Sequence, residues 1–269
     1  MVGKFGDHEA FQIQLNDVIY SSRAIRDVKH LKGRNSEVNS LKKALLTPGR
    51  QPFIYGLRGA GKTSLALSVA EEYSHQRNVL VTCAPQMKFA DVIRELVALG
   101  LDYNPLQQTR TTEARAEAGL NFGVVNIGGA GLETKSFGGV PTPQNPNEAL
   151  AMLKQVASYK KSRFCYIIDE FDQLRDDDSH LQFGLLAKLI ADSNEPIKLI
   201  FCGVADDIQQ IFKAHASTLR LFEPLEVNRL GLQACFDIMA DAESRLNVSI
   251  ERETQFRIAQ ISDGFPYFV

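Results

Sequence analysis

The chain has 269 residues, enough for one large α/β domain with a smaller unit attached. Apolar residues make up 44% and charged residues 23%, and the formal net charge of −2 excludes a general attraction to nucleic acids or anionic membranes. The N-terminus lacks the apolar core of a secretory signal, no apolar run is long enough to span a bilayer, and no two cysteines have zinc-site spacing. We therefore expect a cytoplasmic protein whose cysteines are reduced core residues, with no membrane partner.

A glycine-rich loop is the first segment along the chain that indicates a function. Residues 52–55 form a short apolar run that predicts a buried strand, and residues 64–73 have apolar side chains at helical spacing. Between them, residues 56–63 match the phosphate-binding pattern G-x-x-x-x-G-K-[ST]. Because the backbone N–H groups of such a loop and the N-terminus of its helix bind phosphate oxygens, the segment predicts a site for ATP or a related nucleotide.

The side chains of this loop have predicted parts in binding. Lys62 would contact the β and γ phosphates, and the Thr63 hydroxyl would bind Mg²⁺. Arg58 lies at a loop position that usually varies, and its side chain is assigned no separate role. The predicted nucleotide-binding residues of the segment are Gly56, Arg58, Gly59, Ala60, Gly61, Lys62, Thr63 and Ser64.

The next part of the chain contains a strand, a helix and an unusual insertion. Residues 78–84 predict a second strand, and residues 87–100 predict an amphipathic helix. Residues 104–146 differ in composition, with a glycine-rich stretch at 119–132 that could form a β-hairpin. The insertion is either a projecting element that touches DNA, a partner protein or a neighbouring subunit, or a tolerated surface insertion. Its mixed charges argue against a dedicated clamp for a phosphate backbone.

A second motif of the nucleotide site follows the insertion, after a helix that begins near Asn147. Residues 163–168 form an apolar run that ends in Asp169 and Glu170, the Walker B pattern. A strand that is apolar on both faces is typical of the middle of a parallel sheet, and its C-terminal end would lie beside the phosphate-binding loop. Asp169 would position Mg²⁺ through a coordinated water, and Glu170 would orient or deprotonate the attacking water. Alternatively, both carboxylates only cap the following helix, but the upstream loop favours the catalytic interpretation.

Two further strands complete the predicted sheet. Residues 197–203 predict the fourth strand and residues 218–225 the fifth, with a helix at 207–215 between them. Many ATPases place a polar sensor of the γ-phosphate at the end of the fourth strand. Here the chain has Cys202, Gly203 and Val204, so no sensor residue is predicted at this point.

The C-terminal part of the chain predicts a small helical unit. Helices at 231–246 and 251–262 are typical of the first part of a lid. Residues 265–269 are apolar, and they predict the start of a further buried helix. We expect the lid to be truncated, with more of the protein beyond Val269.

These features together resemble the AAA+ superfamily, and more narrowly the branch of origin-recognition initiators, transposition-regulator ATPases, and archaeal-type and STAND signalling ATPases. Residues 31–37 resemble the G-R-x-x-E box of that branch, and the two nucleotide motifs follow in the expected order. The segment from residue 201 to Arg220 resembles the sensor-to-finger region, and residues 262–269 resemble the G-x-P turn of the lid. The resemblance covers residues 28–269.

The resemblance implies a P-loop fold: a doubly wound parallel sheet of five strands in the order 5-1-4-3-2, with a partial helical lid. It implies that Arg34, within an adenine pocket formed partly by residues 28–34, and Pro266 in the lid contact the nucleotide. It also implies that Arg220 acts on the γ-phosphate of a neighbouring subunit. The alternative for Arg220 is an exposed arginine in a surface ion pair. The predicted catalytic residues are thus Glu170, Lys62 and Arg220, and the predicted metal ligands are Thr63 and Asp169.

The predicted organisation is a lead-in segment at 1–27, an AAA+-like nucleotide-binding domain at 28–228, and the start of a lid at 229–269. The expected function is a switch that binds and hydrolyses ATP with Mg²⁺ and couples this to conformational change or self-association. Its target would be DNA, or a protein in a signalling or defence assembly, reached through the insertion or a region beyond Val269. Two alternatives are an ATP-binding regulatory module with little hydrolysis and, disfavoured by Glu170 and Arg220, a P-loop small-molecule kinase.

Overall fold

Five parallel strands form the centre of the molecule, in the spatial order β2-β3-β4-β1-β5. The computed structural model describes residues 5–19, 24–76, 78–101, 140–161, 163–193, 195–204 and 219–269. The strands are β1 Gln51–Tyr55, β2 Val79–Thr82, β3 Phe164–Asp169, β4 Ile197–Gly203 and β5 Phe222–Glu226. The predicted order 5-1-4-3-2 is this arrangement counted from the opposite edge, so the predicted topology is confirmed.

Helices cover both faces of the sheet. The helices are α1 Phe5–Val18, α2 Asn35–Leu46, α3 Lys62–Ser74, α4 Phe89–Gly100, α5 Pro146–Lys160, α6 Asp177–Ser193, α7 Leu232–Leu246 and α8 Arg252–Ser262. One hydrophobic core lies between the sheet and α4, α5 and α6, and a second lies between the sheet and α2 and α3. Every residue of β3 and β4 is buried, because both faces of these central strands are covered.

A separate hydrophobic cluster forms the core of the lid. It contains Leu230, residues of α7 such as Phe236 and Met239, and Ala259 of α8. The two lid helices end at the predicted residues, and each begins one residue later than predicted. In addition, α1 packs against α7, where the amide of Gln14 donates a hydrogen bond to the carbonyl oxygen of Arg245 at 3.0 Å. The sequence prediction assigned no element to this lead-in segment.

Two local predictions differ from the structure. The fifth strand begins at Phe222, and the described residues 219–221 of its predicted range lie outside it, because β1 begins at Gln51, which pairs with Phe222. Residues 265–269 do not start a buried helix. They form a short 3₁₀ helix, Pro266–Phe268, in which Tyr267 and Phe268 are each 62% exposed.

Several predictions fall on residues outside the described ranges. These are most of the insertion, including the hairpin at 119–132, and the helix at 207–215. The described end of the insertion leads into α5, where the Asn145 side chain accepts hydrogen bonds from the first backbone N–H groups of the helix. All four cysteines are buried with free thiols, as expected for core residues. In the described part of the chain, no helix combines the length and apolarity that a membrane span requires.

Candidate nucleotide-binding site

The glycine-rich loop connects the end of β1 directly to the start of α3. Gly56 has a φ of +145°, and a Cβ atom there would lie 2.3 Å from the carbonyl oxygen of Val227. Only glycine fits this approach, because any side chain would overlap the backbone that follows β5. Gly61 has a φ of +94° and precedes the first residue of α3. The loop therefore ends at a helix N-terminus, as a phosphate site requires.

Lys62 is folded back onto the loop that precedes it. Its Nζ atom donates hydrogen bonds to the carbonyl oxygens of Gly56 at 3.0 Å and Leu57 at 2.9 Å. Burial lowers the pKa of Lys62, while the negative charges of nearby acidic groups, including Asp169, oppose this shift. The ammonium group thus has neutral partners that phosphate oxygens could replace.

The two predicted metal ligands meet at the end of β3. The Thr63 hydroxyl donates a hydrogen bond to Oδ2 of Asp169 at 2.6 Å, and Oδ1 of Asp169 accepts one from the N–H of Glu170 at 2.9 Å. Mg²⁺ prefers oxygen ligands and is usually bound by one or two protein groups together with phosphates and waters. This hydroxyl and carboxylate therefore fit the ion, although the described residues contain no group of three or more His, Cys, Asp or Glu side chains arranged to hold a metal by themselves.

Glu170 adopts an unusual backbone conformation at the mouth of the site. Its φ and ψ of 49° and 42° are in the left-handed region, which for a residue other than glycine costs about 1–3 kcal/mol. Its carboxylate pairs with the Arg58 guanidinium at 3.0 Å, with the two side chains 39% and 83% exposed. Such strain is found most often at functional sites, and the exposed ion pair is weak enough to open.

A cavity of about 1120 Å³ lies between the carboxyl ends of the strands and the lid. Its volume reaches the upper end of the range for ligand sites, and it accommodates a nucleoside triphosphate. Its walls include Lys62, Thr63, Asp169 and Glu170 from the sheet side, together with Met239 and other residues of the lid. The structure thus brings together the residues predicted from the two nucleotide motifs.

Arg34 and Pro266 also border this cavity, in different ways. Arg34 is buried, and its guanidinium donates hydrogen bonds to the carbonyl oxygens of Ala60 at 2.9 Å and Asn228 at 2.6 Å. It therefore links the phosphate-binding loop to the segment between β5 and the lid, and its predicted contact with the nucleotide stays a prediction. Pro266 lies against the loop, since its Cγ is 3.7 Å from the Cβ position of Gly61.

Ser64 and the lead-in segment are joined, which the sequence prediction missed. The Ser64 hydroxyl accepts a hydrogen bond from the N–H of Ile25 at 3.1 Å, and the Ser68 hydroxyl donates one to the carbonyl oxygen of Ile25 at 3.0 Å. Ile25 also lines the cavity. The described residues just before position 28 are therefore attached to the nucleotide-binding domain.

Arg220 lies away from the cavity of its own chain. It occupies an exposed turn just before β5, at the edge of the sheet where the parallel strands begin. The phosphate-binding loop is at the opposite edge, where the strands end. Arg220 forms no ion pair with any described residue, and an action on the γ-phosphate would have to be on a neighbouring subunit. This role stays a prediction.

Sequence reasoning also missed Asp172 and Gln173, which line the cavity beside Glu170. They belong to a 3₁₀ helix, Phe171–Gln173, that directly follows the Walker B pair. Their position two and three residues after Glu170 is the signal that could have identified them.

The comparison with known proteins agrees with this geometry. Residues 49–212 match a family model described as an AAA domain. The chain belongs to the AAA domain family. This confirms the resemblance to AAA+ ATPases inferred from the motifs. Among proteins with curated descriptions, none matches this AAA protein significantly.

Solved structures of low sequence identity share the fold of this AAA protein. The Walker-type ATPase PABY2304 of Pyrococcus abyssi has a TM-score of 0.62 at 16% identity, and the alignment covers 93% of this chain and 68% of that one. Cdc6p from Pyrobaculum aerophilum has a TM-score of 0.53 at 17% identity, covering 91% and 58% of the two chains. A RuvB variant of Thermotoga maritima has a TM-score of 0.52 at 17% identity, covering 90% and 61%. This chain therefore spans about three fifths of the length of Cdc6p and RuvB.

Proposed function

We propose that this AAA protein binds ATP with Mg²⁺, hydrolyses it, and uses the reaction as a conformational switch. The observation that carries the proposal is the convergence of four side chains on one cavity: Lys62, Thr63, Asp169 and Glu170. The hydrogen bond of 2.6 Å between Thr63 and Asp169 joins the two motifs, which are far apart in sequence. Binding and hydrolysis of ATP require the ammonium group, the metal ligands and the proton acceptor to lie around the same phosphates.

Each residue has a defined part in the proposed reaction. The loop N–H groups and the N-terminus of α3 bind the phosphates, and Lys62 exchanges its two carbonyl partners for phosphate oxygens. Thr63 and Asp169 would hold Mg²⁺, which when bound neutralises phosphate charge. Glu170 orients the attacking water and accepts its proton. The oxygen of the water forms a bond to the γ-phosphorus as the bond from that phosphorus to the bridging oxygen breaks, and ADP and inorganic phosphate are released.

The lid contacts suggest how the reaction could change the shape of the protein. Pro266 lies against the phosphate-binding loop, and Arg34 bonds both that loop and the segment leading to the lid. A change in the loop on phosphate release would therefore be transmitted to the lid. We propose that lid movement alters contacts with neighbouring subunits and with a target, which is DNA or a signalling protein.

The test is phosphate release by purified protein with ATP and Mg²⁺, combined with nucleotide-binding measurements. Glu170→Gln should reduce turnover by at least about 100-fold while ATP still binds, because only the proton acceptor is lost. Lys62→Ala should weaken ATP binding itself. Glu253→Gln is the matched control, since Glu253 is exposed on α8 outside the cavity. Turnover that Glu170→Gln leaves unchanged would refute the assignment.

One observation favours a second candidate, an ATP-binding regulatory module with little hydrolysis. The end of β4 presents Gly203 and Val204 to the cavity, and neither has a polar side chain to contact the γ-phosphate. This candidate predicts tight ATP binding, with a slow release of phosphate that is the same in the wild-type protein and in Glu170→Gln.

A further inference from the structure

We propose that Gln173 is a further catalytic residue of the hydrolysis, and that its side-chain amide orients the attacking water against the γ-phosphate. It would thereby replace the polar side chain that the end of β4 lacks. The inference rests on the proposed hydrolysis of ATP. It is carried by three features of the structure: a rigid support, a pair of hydrogen bonds made by Asp172, and the position of Gln173 in the cavity.

The support is an aromatic cluster beneath the 3₁₀ helix Phe171–Gln173. The ring of Phe171 is fully buried, with centroids of Phe201 at 4.9 Å, Phe183 at 5.3 Å and Phe53 at 6.4 Å, all in edge-to-face contact. Such contacts add about 0.5–1.5 kcal/mol each to the burial of the rings. The N–H of Gln173 also donates to the carbonyl oxygen of Glu170 at 2.8 Å. The backbone of Gln173 is therefore fixed relative to Glu170.

Asp172 connects this helix to the end of β4. Its Oδ1 atom accepts a hydrogen bond from the N–H of Val204 at 2.9 Å, and its Oδ2 atom accepts one from Nε2 of Gln173 at 3.1 Å. A Cβ atom at Gly203 would lie 3.1 Å from Oδ1, so Asp172 would have to shift by a few tenths of an ångström to admit a side chain there. The missing side chain at the end of β4 and the presence of Asp172 are thus parts of one arrangement, in which Asp172 is a positioning residue.

The amide of Gln173 has hydrogen-bonding groups that Asp172 does not use. Gln173 is half-buried and lines the cavity with Lys62, Thr63 and Glu170. One N–H of its amide is used by Asp172, and Oε1 has no hydrogen-bond partner among the described residues. An amide can accept a hydrogen bond from a water through its oxygen and donate one to a phosphate oxygen through its second N–H. An acceptor for the water and a donor to the phosphate in one side chain would hold the water in line with the γ-phosphate, while Glu170 accepts the proton.

The test compares Gln173→Leu with wild-type protein in single-turnover and steady-state phosphate release. We expect kcat to fall about 100-fold, because removal of one oriented hydrogen-bonding group from a transition state has effects of this size. The KM for ATP and the affinity for a non-hydrolysable ATP analogue should change less than about threefold. Gln182→Leu is the matched control, since Gln182 of α6 is half-buried like Gln173 and lies outside the cavity. Asp172→Ala should reduce kcat less than Gln173→Leu does.

Each outcome has a distinct meaning. Full turnover by Gln173→Leu, with Glu170→Gln inactive, would overturn the role of Gln173 and leave the proposed function intact. Loss of analogue binding or of thermal stability in Gln173→Leu, in parallel with lost turnover, would overturn the catalytic role in favour of a structural one. Wild-type turnover that is insensitive to Glu170→Gln would refute the proposed hydrolysis, and the role of Gln173 with it.

Discussion

The proposed hydrolysis depends most on Glu170. Its neighbours determine whether its carboxylate is free to contact the attacking water. Its left-handed backbone turns the chain immediately after β3, so that the carboxylate faces the mouth of the cavity. In the structure its partner is Arg58 of the phosphate-binding loop. A triphosphate would bring several negative charges to this loop and compete for the guanidinium.

We predict that Arg58→Ala changes the ATPase rate less than about fivefold. The pair with Glu170 is largely exposed, and such pairs contribute about 0–1 kcal/mol. Phosphate release measured at saturating ATP tests this, with Arg94→Ala as control, because Arg94 forms a similar exposed pair with Asp91 on α4. A loss of about 100-fold in Arg58→Ala alone would instead assign Arg58 a direct contact with the phosphates.

At the scale of elements, the site depends on how closely β1 and β5 approach each other where both strands end. The N–H of Val227 donates to the carbonyl oxygen of Tyr55 at 2.8 Å, so the residue just after β5 still pairs with the last residue of β1. Gly56 lies beneath the carbonyl oxygen of Val227, with no room for a side chain. The geometry of the loop is therefore set in part by the sheet, before any phosphate binds.

We predict that Gly56→Ala lowers the free energy of unfolding by about 2–5 kcal/mol and weakens ATP binding. The new Cβ would overlap backbone atoms at a φ that alanine rarely adopts. The matched control is Gly231→Ala, where φ is −73° and the new Cβ meets nothing within 4 Å. Chemical denaturation and nucleotide titration of both variants test this. Equal stability of the two variants would contradict the close approach.

At the scale of the whole molecule, the cavity and Arg220 lie at opposite ends of the strands of the sheet. The nucleotide cavity lies where the parallel strands end, between the sheet and a lid with its own hydrophobic core. Arg220 lies where the strands begin, exposed and remote from that cavity. An arrangement of subunits in which one end meets the other would bring Arg220 to a neighbour's site, as a heterologous interface does.

We predict that Arg220→Ala binds ATP normally and loses hydrolysis by about 10³-fold or more, as expected for an arginine that acts in trans. Mixing Arg220→Ala with Glu170→Gln should restore activity, because an Arg220→Ala subunit retains Glu170 and can receive Arg220 from its neighbour. Size-exclusion chromatography with an ATP analogue should show association of the wild-type protein. Wild-type turnover by Arg220→Ala, or a protein that stays monomeric with ATP, would contradict the role in trans.

Motifs in the sequence predicted the candidate nucleotide site and the class of fold, and the predicted fold is confirmed. The glycine-rich loop and the Walker B pair are local patterns, because phosphate and metal binding need particular residues next to each other at a strand end. The two motifs were expected to lie close together, and the hydrogen bond between Thr63 and Asp169 joins them. The strand order followed from the resemblance that these motifs supported. Periodicity predicted most helices and strands closely, because each one buries a continuous face.

Hydrogen bonds between polar groups far apart in the sequence could be identified only in the folded structure. Arg34 bonds Ala60 and Asn228, Asp172 bonds the N–H of Val204, and Ile25 bonds Ser64. No local sequence pattern predicts these pairs, because in each of them one partner is a backbone atom that almost any residue could provide. The exposure of Tyr267 and Phe268 was likewise unpredictable, since an apolar sequence does not specify whether another element covers it. The chemical groups of the site can therefore be identified from local motifs. Their relative positions depend on packing between segments that are distant in the sequence.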